Sequence, residues 1–102
     1  MKGTEKQIAW ATDILNEKNE QIKKRRDRFE TDIEEFEKRG LMRPGQKDKI
    51  LDVIAVADEW LSLDWSEVDA AWIIETLRNV DLTTTIAQKR AIKSARETMG
   101  AK

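Results

Sequence analysis

Thr4 to Gly40 reads TEKQIAWATDILNEKNEQIKKRRDRFETDIEEFEKRG, and the spacing of its apolar residues decides the fold. Ile8, Leu15, Ile22, Phe29 and Phe36 recur at seven-residue steps, and Ala11 and Ile33 fill neighbouring places on the same stripe. At about 100° per residue these side chains stay within an arc of roughly 80°, so one helix carries them all. Thr4 and Gln7 form the pattern of a capping box, which predicts that the helix starts at Glu5. Gly40 ends it. From Glu5 to Arg39 it would run roughly 50 Å, longer than a compact domain of this size is wide. Either something covers the excess or it projects into solvent. Between Asn16 and Arg28 the only large apolar residue is Ile22, which makes that segment the expected place for a kink, an exposed spacer or a dimer seam.

Beyond the turn marked by Gly40 and Pro44-Gly45, three shorter helices are expected. Helix two spans Gln46 to Leu61, with Ile50, Val53, Ile54, Ala57, Trp60 and Leu61 on one face. Helix three is expected from Ser66 to Asn79, capped by Asp64 or Ser66. Its apolar residues lie nearly all round, so it reads as the central helix of the core. A short strand at Trp72 to Ile74 competes with it and has no second strand to pair with. Asp81 to Thr84 is another cap region, from which helix four reaches Thr98. Ala87, Ala91, Ile92, Ala95 and Met99 form one side, and Lys89, Lys93 and Arg96 the other. The expected fold is therefore all-α, a long N-terminal helix with three shorter ones in an irregular bundle, as one domain over residues 1 to 102.

Composition removes several kinds of chemistry. The chain has 102 residues with 19 Lys and Arg against 20 Asp and Glu, a net charge of -1 that names no partner by itself. It has no Cys and no His, so thiolate sites, Cys or His nucleophile systems and His-metal sites are excluded. Asp58/Glu59 and Asp64/Glu67 are paired carboxylates without a second cluster of matching spacing, and no Gly-rich phosphate loop is present. No enzyme activity, cofactor or metal is expected. The apolar runs are far too short for the roughly 18 residues of a membrane span. Met1 to Glu5 has no apolar region behind its positive charge, so the expected compartment is the bacterial cytoplasm.

Net neutrality conceals segregation along the chain. In the segment from Asn16 to Arg28, Lys18, Lys23, Lys24, Arg25, Arg26 and Arg28 outnumber Glu17, Glu20 and Asp27. From Asp48 to Asp81 there are nine acids and only Lys49 and Arg78. Helix four and the tail are basic again, through Lys89, Arg90, Lys93, Arg96 and Lys102 against Glu97. The acidic block interleaves Trp60, Trp65 and Trp72, which suggests a negative surface with aromatic anchors for a basic cleft on another protein. Asp58, Glu59, Asp64, Trp65, Glu67 and Asp69 are its candidate contacts, joined by Trp10, which falls off the helix-one stripe. Trp60 and Trp72 themselves fall at core positions. The bland alternative is that the acids simply solvate helix faces and helix N-termini. Lys23, Lys24, Arg25 and Arg26, with Lys89, Arg90, Lys93 and Arg96, are the corresponding candidates for nucleic acid, either as phosphate contacts or with helices three and four as a helix-turn-helix. Their bland alternative is a helix surface paired to nearby glutamates.

Lys2-Gly3-Thr4-Glu5-Lys6-Gln7-Ile8-Ala9-Trp10-Ala11-Thr12-Asp13-Ile14 resembles the opening of small proteins carried by phages and integrative elements of Firmicutes. Asp69-Ala70-Ala71-Trp72-Ile73-Ile74 looks similar to a later acidic-aromatic helix of such proteins and departs from it after Trp72. The resemblance implies a mobile-element origin and a helical fold, and it brings no activity or binding residues with it. By gene context it adds the inhibitors of host defence, anti-CRISPR proteins among them, as an analogy. The expectation is thus a non-catalytic protein-binding module, with a small nucleic-acid-binding regulator that uses the basic run from Lys23 to Arg28 and helix four as the alternative, no membrane partner, and a homodimer possible through helix one.

Overall fold

A computed structural model describes residues 1 to 100 as four helices, α1 Glu5–Lys38, α2 Gln46–Leu61, α3 Ala70–Leu77 and α4 Thr85–Thr98. Lys102 lies outside the described residues. The capping box is present, with Thr4 Oγ1 accepting from the Gln7 amide and Gln7 Oε1 from the Thr4 amide, both at 3.1 Å. From there α1 runs without a break, and Ile22 in its middle is fully buried. The segment from Asn16 to Arg28 is thus neither kinked nor an exposed spacer. Thirty-four residues at about 1.5 Å each give a rod of about 51 Å, nearly the whole 53 Å length of the molecule.

The excess length is covered by α2, which folds back antiparallel along α1 after the turn at Gly45. That residue sits at φ +79°, where a side chain would be strained. Trp60, fully buried near the end of α2, donates from Nε1 to Asn19 Oδ1 at 2.7 Å and sets the register of the pair. Lys89 to Asp52 and Arg96 to Glu59 bind α4 to the outer side of α2. Both pairs step by seven residues, so α4 runs in the same general direction as α2.

Helix three differs from expectation. It covers only Ala70 to Leu77, and its cap is Asp69, whose Oδ1 accepts from the Ala71 amide at 3.0 Å. Asp64 instead accepts from the Ser66 amide at 3.0 Å, a local turn that holds Ser66 to Val68 out of the helix. This loop is drawn against the start of the chain: Lys2 donates to the Val68 carbonyl at 3.0 Å, and the Ala70 amide donates to the Lys2 carbonyl at 2.7 Å. Gly3 permits the approach. Its φ is +141°, and an added Cβ would stand 2.9 Å from Gln7 Oε1 and 3.2 Å from the Ala70 Cβ. The central role falls to α1, which packs on both α2 and α3, rather than to α3. Trp72 to Ile74 lie inside α3 and not in a strand. Trp72 is half-buried rather than in the core. Leu61 is exposed at the end of α2, and Val56 is buried in its place.

Two polar residues fill core positions. Lys18 continues the stripe of Ala11, Leu15 and Ile22, is buried, and donates from Nζ to the Val80 carbonyl at 2.6 Å. Gln88, on the buried side of α4, donates from Nε2 to the Leu82 carbonyl at 2.9 Å, while its Oε1 has no partner. Together they tie α1 and α4 to the loop between α3 and α4. Among the described residues no helix is long and apolar enough to cross a membrane.

Candidate functional site

The acids of the expected negative surface are exposed, and each has a partner within the chain. Arg26 reaches from α1 to Asp58 through Nε at 2.6 Å and holds Asp27 and Glu30 through Nη1. These three hydrogen-bonded carboxylates hold the Arg26 guanidinium firmly in its charged form. Glu59 pairs with Arg96 at 2.8 Å, and Glu67 lies 3.8 Å from Lys2. Asp64 and Asp69 are spent on their turn and cap. Hydrogen bonds from the Ser66 amide, then its hydroxyl, keep the Asp64 carboxyl below the usual carboxylate range. Trp65 is half-buried, its ring 5.3 Å from that of Trp60 and 6.3 Å from that of Trp72. Trp10 is 47% exposed, with the Arg78 guanidinium carbon 5.3 Å from its ring centre.

The basic residues divide into two groups. Lys89, Lys93 and Arg96 border a hollow of about 340 Å³ on the α2–α4 side together with Glu59, Ile92 and Glu97, so its charge is mixed. Arg90 is exposed elsewhere on α4. The helix-turn-helix expectation fails on packing, because α4 packs on α2 and not on α3, leaving no paired unit to present a recognition helix.

A different hollow, of about 480 Å³, is lined by Gln21, Lys24, Arg25 and Arg28 of α1 and by Thr83 before α4. The four α1 residues stand at i, i+3, i+4 and i+7, one face over two turns. Arg25 is the fixed element. Its guanidinium carbon lies 4.8 Å from the Phe29 ring centre, and both terminal nitrogens lie 3.5 Å from Thr85 Oγ1, a long contact. Burial, with the nearby Arg28 charge second, lowers its pKa while leaving it a cation. Among the described residues neither Arg25 nor Arg28 pairs with a carboxylate, and neither does Lys23. Lys24 pairs with Glu20 at 3.0 Å, an exposed bridge that holds it only weakly. The α4 N-terminus beside Thr83 is capped by Thr84 and has no acid in its first turn.

Lys23 to Arg26 form one run in the sequence, but they part company in space: Arg26 belongs to the α1–α2 seam, whereas Lys24 and Arg25 face the groove. Arg28 closes the expected basic run from 23 to 28, whereas Gln21 and Thr83 were not among the expected contacts. The one-face spacing of 21, 24, 25 and 28 was the available signal for Gln21. Among the described residues no group of three or more acids could hold a metal ion. Comparison with protein-family models, curated proteins and solved structures finds no match.

Proposed function

We propose that the chain is a small non-catalytic module that binds nucleic acid by its phosphate backbone, in the groove between α1 and the approach to α4. The observation that carries this reading is the convergence of Lys24, Arg25 and Arg28 on one concave surface with Gln21 and Thr83, where neither guanidinium is paired with a carboxylate and the two nearby acids, Glu20 and Asp81, are held by Lys24 and Thr83. Guanidinium groups left without carboxylates in a hollow are matched to phosphate by charge and by fork geometry. Two to three phosphate contacts give a log-log salt slope of about -2 to -3, much shallower than that of a protein with a long basic track. The test is fluorescence anisotropy with a labelled oligonucleotide across a salt series. Micromolar binding at low salt with that slope, lost in Lys24→Glu/Arg28→Glu, supports the reading. No binding at low salt removes it.

Trp10 favours a second reading, a protein partner contacted by an exposed aromatic beside Arg78, the two residue types richest in binding energy at interfaces. The partner's class would then be a host protein, in the inhibitor role suggested by the mobile-element resemblance. Recovery of one partner from host lysate by the parent chain but not by Trp10→Ala would support this. Equal recovery by both would count against it.

A further inference from the structure

The groove is short, and its ends are acidic. Gln21 to Arg28 covers about 10 Å of α1, and the same face carries Glu17 one turn before it and Asp32 with Glu35 just after it. A strand continuing in both directions would press its next phosphates onto those carboxylates. A strand end spares at least one of these encounters. Charge points the same way, because a terminal phosphomonoester carries about -1.5 to -2, close to the combined charge of Arg25 and Arg28, the two groove cations that no carboxylate holds. A single internal diester would leave one of the two uncompensated. The Arg25 guanidinium is already oriented by Phe29 and Thr85, so little of its freedom remains to be lost on binding. Beside it the α4 N-terminus has no acid in its first turn, and the Asp81 carboxylate that precedes it is held by the Thr83 hydroxyl and amide.

We propose that this groove is a seat for the phosphorylated end of a nucleic-acid strand, with Arg25 and Arg28 holding the terminal phosphate and Lys24 the diester that follows. The inference rests on the nucleic-acid reading above and sharpens it to one part of the ligand. The experiment uses one internally labelled single strand in three forms: 5′-phosphorylated, 3′-phosphorylated, and with hydroxyls at both ends. At pH 8 one phosphorylated form is expected to bind at least tenfold more tightly than the hydroxyl form. The advantage should shrink at pH 5.5, where the terminal phosphate approaches a single charge. Arg28→Gln, an exposed position, is expected to abolish the difference while keeping the melting temperature of the parent chain. Equal binding of all three forms overturns the end preference and leaves the groove reading in place. Failure of all three to bind at low salt overturns both. A free 5′-mononucleotide that competes as well as the phosphorylated strand also overturns the end preference, since it assigns the seat to nucleotides.

Discussion

Replacing Ile22 with alanine tests whether the middle of α1 is held in a packed core. The side chain is fully exposed to neighbours and not at all to water, at 0% accessibility. Ile22→Ala removes three carbons, about 2.4 kcal/mol at about 0.8 kcal/mol each, and the cavity left behind raises the loss to about 3 kcal/mol. That is a large part of the roughly 5–15 kcal/mol that holds a domain together. With a urea m-value of about 1.5 kcal/mol/M, the unfolding midpoint should fall by about 2 M. In thermal denaturation the shift should be about 12–24 °C. Leu41→Ala serves as the comparison, because Leu41 is 58% exposed in the turn after α1, and its loss should stay within about 0.5 kcal/mol. Equal shifts for the two variants would refute the reasoning, since they would mean that α1 is uncovered at Ile22.

Thr84→Ala removes the acceptor of the Ala87 amide at the start of α4 and should cost about 1 kcal/mol in thermal denaturation, whereas Thr84→Ser should restore most of it; an unchanged alanine variant would show that the cap contributes nothing. Gly3→Ala places a side chain at φ +141° against Gln7 and Ala70 and should destabilise by about 1–3 kcal/mol, with unaltered melting as the contrary result. Asp81 is held below the usual carboxylate range by hydrogen bonds from the Thr83 hydroxyl and amide, as Asp64 is by Ser66. A carboxylate whose folded pKa is depressed stabilises above its unfolded pKa and loses that contribution as pH falls through the folded one. The melting temperature should therefore decline as pH drops from about 5 towards 2, and less steeply in Asp81→Asn. Between pH 6 and 8 no side chain adds a change of its own, because the chain has neither histidine nor cysteine. Equal slopes for the parent and Asp81→Asn below pH 5 would show that Asp81 does not carry the effect.

Much of the architecture was legible because it is local. The heptad stripe, the Thr4/Gln7 box and Gly45 define α1 and the start of α2 without reference to the rest of the chain. The start of α3 was not legible. Asp64, Ser66 and Asp69 are all good caps within six residues, and the choice among them depends on Lys2, some 66 residues away, pairing with Val68 and Ala70. Lys18 and Gln88 sit at core spacing in the sequence, but as polar residues they give no core signal there, and their partners, the Val80 and Leu82 carbonyls, belong to a loop whose position the pattern does not encode. The charge blocks do not carry over unchanged into space, for a related reason. Segregation along the chain is undone in space, where Arg26, Lys89 and Arg96 from basic segments are brought onto Asp58, Asp52 and Glu59 of the acidic one. The half of the groove on α1 was visible as a helical face, but the contribution of Thr83 required the fold.

Because a single 34-residue helix sets nearly the full 53 Å of the molecule, the two tips of the protein are joined by one continuous ladder of backbone hydrogen bonds. The chain therefore contains its own ruler. A donor and acceptor dye placed near Glu5 and Lys38 would report a fixed separation of about 50 Å for as long as the rod stays straight. Any ligand that bends it would register as a change in energy transfer, even when bound far from either dye.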